Sequence, residues 1–143
     1  MSTDRVLLVD DEVEFVETLA ERLRARGLEV EVALTGMDGV AKAQTARFDA
    51  VVLDFAMPGM DGIATLKALL AAHPDLQIML LTGQATIKAA IDATRLGAVD
   101  VLEKPMDIST LMEKIRAARA RRVALTDERA RRQVEEVLKS KGW

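Results

Sequence analysis

The chain has no cysteine and no tyrosine, one histidine, three prolines and an aromatic content of 3% over 143 residues. Without cysteine there is no disulfide framework, no thiolate metal site and no cysteine nucleophile. No segment approaches the roughly 18 continuous apolar residues that would suggest a membrane span. The start, Met1-Ser2-Thr3-Asp4-Arg5, has no basic stretch leading into a long apolar one, so no signal peptide is expected and a cytoplasmic location is the default. There is no glycine-rich phosphate loop, no internal repeat and no low-complexity segment.

Half of the residues are hydrophobic and 30% are charged, which suits a soluble globular chain and excludes general disorder. The length leaves room for one domain with a real core and an extension. The net charge of −3 is unevenly spread. Residues 119–143 hold eight Lys or Arg against four Asp or Glu, a net of +4, so residues 1–118 carry −7. An acidic body therefore precedes a basic tail.

Strand and helix patterns alternate five times, with strand-like runs near 5–10, 29–33, 50–54, 77–82 and 99–103. Val16, Leu19, Ala20 and Leu23 form one helical stripe, ended by Gly27 as a C-cap glycine would end it. A short second helix is expected over Met37–Ala46. The third aligns Ile63, Leu66, Leu69 and Leu70 and stops at His73-Pro74, because the residue before proline is pushed out of helical geometry. The fourth places Ile87, Ala90 and Ile91 at helical spacing, and the fifth, from about Asp107, aligns Ile108, Leu111, Met112 and Ile115. The runs at 50–54 and 77–82 are continuously apolar, as strands covered on both faces are. A parallel sheet with helices on both sides, joined by right-handed crossovers, is the architecture that follows.

Four strands deliver polar chemistry at their C-terminal ends. Ala50-Val51-Val52-Leu53 ends in Asp54, Val6-Leu7-Leu8-Val9 ends in Asp10-Asp11, Leu80-Leu81 ends in Thr82, and Val101-Leu102 leads to Lys104-Pro105. In an open parallel sheet those ends share one edge, outside which ligands bind. If the first and third strands are neighbours, three carboxylates meet, and like charges so close are tolerated only when something positive compensates. A hard divalent cation such as Mg²⁺, which takes oxygen ligands, is the obvious partner, with Lys104 a second positive charge. An aspartate among a metal ion, a lysine and a hydroxyl is arranged for phosphoryl transfer, with Asp54 as nucleophile and an aspartyl phosphate as product.

The ordered set Asp10-Asp11, Asp54 with Met57-Pro58-Gly59-Met60-Asp61-Gly62, Thr82-Gly83, Gly97-Ala98 and Lys104-Pro105 resembles the receiver domain of two-component response regulators over residues 4–120. The resemblance implies a single flavodoxin-like, doubly wound (βα)5 domain with a five-stranded parallel sheet in the order 2-1-3-4-5, an order for which a family member is itself a worked example of the general rule. It implies Asp54 as phosphoacceptor, Asp10, Asp11 and the Ala56 backbone carbonyl with Asp54 as Mg²⁺ ligands, Thr82 as switch hydroxyl, Lys104 as phosphate-binding lysine, and a cis Lys104-Pro105 bond. The implied partners are a histidine kinase or histidine phosphotransfer protein upstream, an effector protein downstream, and a second copy in a phosphorylation-dependent homodimer. The chain is then a switch that assists its own phosphorylation rather than a turnover enzyme. Val101 departs from the pattern, since the family carries an aromatic three residues before the lysine. Gln84 and Ala56 stand where the family varies its autodephosphorylation.

Two rivals use similar parts. A Mg²⁺-dependent phosphatase of the haloacid dehalogenase type needs an Asp-x-Asp pair, whereas Asp10 and Asp11 are adjacent. A flavodoxin-like cofactor-binding protein is disfavoured by the scarcity of aromatics and by the absent phosphate loop. Asp61 and Asp38 are expected to be turn and cap residues, and His73 to be a solvated helix-end side chain. The receiver is expected over 1–120 and a basic helical extension over 121–143. There Thr126 would N-cap a further helix with Ala130, Val134, Val137 and Leu138 as a narrow apolar stripe, and Trp143 docks or frays. Glu135 and Glu136 among the arginines favour a solvated or partner-docking helix over a nucleic-acid-binding one.

Overall fold

Burial separates the strands into central and edge types, as their composition requires. In the computed structural model, which describes residues 4–55, 62–83 and 87–140, β3 (Ala50–Asp54) and β4 (Ile78–Thr82) are buried along their whole length, and β1 (Arg5–Val9) is buried after Arg5. The sequence Glu-Val-Glu-Val-Ala of β2 (Glu29–Ala33) alternates with the pleat, and β5 (Asp100–Glu103) begins and ends in acidic residues. These two form the edges of a parallel sheet in the order β2-β1-β3-β4-β5. The expected flavodoxin-like topology is thus present.

The period of two divides each strand between two cores. Val6, Leu8, Ala50, Val52, Met79 and Leu81 face α1 (Val13–Ala25) and α5 (Ile108–Ser140). Leu7, Val9, Val51, Leu53, Ile78 and Leu80 face α2 (Gly36–Thr45), α3 (Gly62–Ala72) and α4 (Ile87–Arg95). The stripe Val16, Leu19, Ala20 and Leu23 is the buried face of α1. Gly27 closes that helix at φ 92°, a left-handed conformation that side chains resist, with its N–H donated to the Arg24 carbonyl at 2.9 Å. Thr35 caps α2 by accepting from the Asp38 N–H at 3.0 Å.

Three expectations are corrected. Ile91 is 46% exposed, and among the described side chains of α4 Ala93 is the one buried against the sheet. Two residues advance a helix by about 200°, so turning Ala93 inward turns Ile91 outward; the side chains of Ile87 and Ala90 lie outside the described residues. His73 is half-buried rather than solvated, and its Nε2 is buried with no partner among the described residues. Thr126 caps nothing, because α5 runs unbroken through it, and its Oγ1 donates to the Arg122 carbonyl at 3.0 Å. The run Arg119 to Leu125 contains only good or neutral helix formers and neither Gly nor Pro, so nothing stops the helix there. Val134, Val137 and Leu138 are on the helix but exposed.

Arginines fasten α5 along the N-terminal edge of the sheet. Arg119 pairs with Asp4, just before β1, at 3.0 Å, Arg121 donates to Gln77, just before β4, at 3.0 Å, and Arg129 pairs with Asp75 at 3.0 Å. The most buried of these contacts is at Asp49, which precedes β3. Its Oδ1 accepts from Arg122 Nη2 at 2.6 Å and Nε at 3.0 Å, while Oδ2 accepts the Arg5 N–H at 2.8 Å. Removing one partner of a buried pair leaves the other uncompensated, at a cost of about 3 kcal/mol or more. Asp49→Ala should therefore lower the urea midpoint by an amount equivalent to about 3 kcal/mol. Arg132→Ala, which breaks an exposed pair with Glu128, should stay within about 0.5 kcal/mol of the wild type.

Candidate phosphoacceptor site

Strand parity decides which side chains meet at the C-terminal edge. Asp10 continues the phase of Val6 and Leu8, Asp54 that of Ala50 and Val52, and Lys104 that of Leu102, so all three fall on the α1/α5 side. Because β1 lies beside β3, Asp10 and Asp54 arrive together. Both are buried, at 4% and 6% exposure, at the depth where an uncompensated carboxylate would be costly. Thr82, 7% exposed, has the phase of Ile78 and Leu80 and belongs to the opposite layer. Its carbonyl accepts the Lys104 N–H at 2.7 Å, which sets the lysine at the end of β5 beside β4. The Lys104-Pro105 bond is cis, as expected.

Lys104 is the hub. Its Nζ is 2.9 Å from Asp10 Oδ2, 3.1 Å from Glu12 Oε1 and 3.8 Å from Asp54 Oδ1. Asp10 is fixed from its other oxygen, Oδ1, which accepts the Glu12 N–H at 2.8 Å. Oxygens of Asp10, Glu12 and Asp54 lie within 4.8 Å of one another, a set of hard donors that could hold a metal ion. Asp11 is exposed and is not in that cluster. Glu12 is the member that sequence reasoning passed over, although it directly follows the acidic pair. Ala56, Met57–Asp61 and Gln84 lie outside the described residues. Val101 is half-buried against the α2/α3/α4 core, so a small aliphatic group fills the place of the family's aromatic.

Asp54 is presented by a close backbone approach. The Gly62 N–H donates to the Phe55 carbonyl at 3.1 Å, and a Cβ on Gly62 would sit 2.4 Å from that oxygen and 2.7 Å from the Asp54 carbonyl. Only glycine lets α3 begin this near the end of β3.

Burial pulls the Lys104 pKa down, but the hydrogen bonds it donates to Asp10 and Glu12 and the charges of Asp10 and Asp54 outweigh it and hold the ammonium above its ordinary 10.5. A group whose pKa is raised on folding stabilises the fold fully below its unfolded value and loses that contribution as pH rises through the folded one. Lys104→Met should therefore be less stable than the wild type by a constant margin from neutral pH to about 10, and the margin should shrink at higher pH. Urea titrations across that range measure it.

The same arrangement recurs in known proteins. The family model described as "Response regulator receiver domain" matches residues 6–116. The transcriptional regulatory protein ZraR of Salmonella typhimurium is 38% identical over 115 residues, 80% of this chain and 26% of that protein. The acid tolerance regulatory protein ActR of Rhizobium meliloti is 34% identical over 107 residues, 75% of this chain and 55% of that protein. The chain thus spans about a quarter to a half of these curated relatives. A CheY-like receiver domain from Methanospirillum hungatei superposes with a TM-score of 0.81 at 28% identity, covering 86% of this chain and 98% of that one. A response regulator from Burkholderia pseudomallei, solved with a phosphorylated aspartic acid, calcium ion and citrate, covers 97% of this chain and 86% of its own at TM-score 0.74 and 25% identity. Nothing in these likenesses supports the phosphatase alternative, and the site, the sheet order and the sequence agree that the chain belongs to the response regulator receiver domain family.

Proposed function

We propose that Asp54 accepts a phosphoryl group from a histidine kinase or histidine phosphotransfer protein. The observation that carries this reading is the setting of Asp54, a buried carboxylate at a strand end with an ammonium 3.8 Å from its Oδ1. An Asp54 oxygen attacks phosphorus, the bond from phosphorus to the donor's imidazole nitrogen breaks, and the electron pair leaves with that nitrogen. The result is an aspartyl phosphate. Lys104 supplies fixed positive charge to the equatorial oxygens, and the Thr82 hydroxyl donates to one of them. Asp10 and Asp54 would hold Mg²⁺, with Asp11 and the Ala56 carbonyl as the further ligands that the resemblance implies; the bound ion would neutralise charge among the carboxylates and phosphoryl oxygens. The hard-oxygen cluster fits such an ion.

Phosphorylation then shifts the balance between two conformations of the face formed by α4, β5 and α5, changing its binding to an effector protein or a second copy. Residues 1–120 form the switching unit, and 121–143 are the extension joined to it through α5. Three of the extension's arginines, Arg121, Arg122 and Arg129, face partners on the body, which leaves less basic surface for nucleic acid. Among the described residues, no helix is long and apolar enough to cross a membrane.

Incubation with acetyl phosphate and Mg²⁺ should add one phosphoryl group by intact-mass spectrometry. The gain should vanish in Asp54→Ala or with EDTA, and undiminished labelling of Asp54→Ala would overturn the assignment. Lys104→Ala should slow labelling by about 10²- to 10³-fold, the usual loss for one preorganised charge-stabilising group.

A further inference from the structure

Phe15 packs, partly buried, against the α1/α5 core, yet one face of its ring is turned to the functional edge and has no part in the phosphoryl chemistry above. It is one of only three phenylalanines in the chain and sits in the first turns of α1, beside the buried stripe that begins at Val16 but at its margin. Its ring faces the ammonium of Lys104, with Nζ 4.5 Å from the ring centroid. With Asp10 and Asp54 it also lines a cavity of about 10 Å³ under the carboxylates. Two of the three ammonium donors point to Asp10 and Glu12, the π face covers another side, and Asp54 is the farthest of the charged neighbours. The lysine therefore sits closest to Asp10, over the ring, and holds Asp54 as its longest ion pair, at 3.8 Å.

We propose that Phe15 is a positioning residue: its ring holds Lys104 on Asp10, and so sets how readily Asp10 exchanges the lysine for a divalent cation. The inference rests on reading Asp10 and Asp54 as the Mg²⁺ carboxylates. Its physical basis is competition. Lys104 holds Asp10 Oδ2, the oxygen not taken by the Glu12 N–H, and a cation on the Asp10 carboxylate competes for it, so whatever stabilises the lysine there weakens the cation by up to the same factor. A cation over an aromatic face gains an electrostatic attraction that an aliphatic side chain of similar bulk does not supply, equivalent to about a 2- to 5-fold change in an equilibrium constant.

The test is a double-mutant cycle read by Mg²⁺ titration calorimetry on the full chain, without any phosphodonor. Phe15→Leu should bind Mg²⁺ about 2- to 5-fold more tightly than the wild type. Phe15→Tyr, which keeps the π face, should bind like the wild type. In a Lys104→Ala background the Phe15→Leu effect should disappear, because the competitor is gone. Unchanged or weaker affinity in Phe15→Leu, or an effect that persists without Lys104, would overturn the proposal and leave the metal reading standing. A wild type that binds no Mg²⁺ while Asp54 is still phosphorylated would remove the metal reading and this inference together.

Discussion

Everything at the functional edge depends on one lysine among three carboxylates. A parallel sheet delivers the ends of neighbouring strands to a common point, and β1 and β3 each end here in an aspartate. Two unit charges about 4 Å apart near a protein surface repel by roughly 4 kcal/mol. Against a total stability of roughly 5–15 kcal/mol, that repulsion has to be offset locally. Lys104 offsets it from β5, two strands away from Asp54, so the sheet order itself is tied to the charge balance. Any cation or anionic group that entered this edge would meet the same few charged contacts that hold it together.

Much of this was legible in the chain because its signals are redundant. Continuous apolar runs identified β3 and β4 as central strands, and Asp10, Asp54 and Thr82 each follow directly after an apolar run with Lys104 one residue beyond another, so locating the strands located these residues. What was not legible had physical causes. Glu12 lies in the Asp10 turn rather than on a strand, and its nearness to Lys104 arises only once β5 has crossed to that edge. Phe15 gives no pattern signal, because its contact with Lys104 joins residues far apart in sequence. Ile91 was misassigned because a short helix of small residues can turn either of two faces inward, and only the packing of Ala93 decides between them. His73 looked solvated from its place beside Pro74, but it lies in a turn in which the Leu76 N–H returns to its carbonyl, and its Nε2 is buried.

The division of the edge between two layers gives the site a wider reach than its size suggests. Asp10, Asp54 and Lys104 share the phase of residues packed on α1 and α5, whereas Thr82 shares the phase of residues packed on α3 and α4. A group bound at Asp54 and touched by Thr82 is in contact with both cores at once. Val101, also on the second side, places a small aliphatic group in close packing against that core.

The basic extension is the least compositionally obvious part of the fold, yet its first part is tied to the body by defined contacts. Arg119, Arg121, Arg122 and Arg129 reach residues that precede three of the strands, so the opposite edge of the sheet serves as an anchor. Since α5 continues without a break from Ile108 to Ser140, its far end has a definite angular phase relative to the sheet. One residue inserted or deleted beyond Arg129 would rotate all that follows by about 100° and shift it by about 1.5 Å, whereas seven residues would nearly restore the facing. Length in this helix is therefore a matter of azimuth as much as of reach.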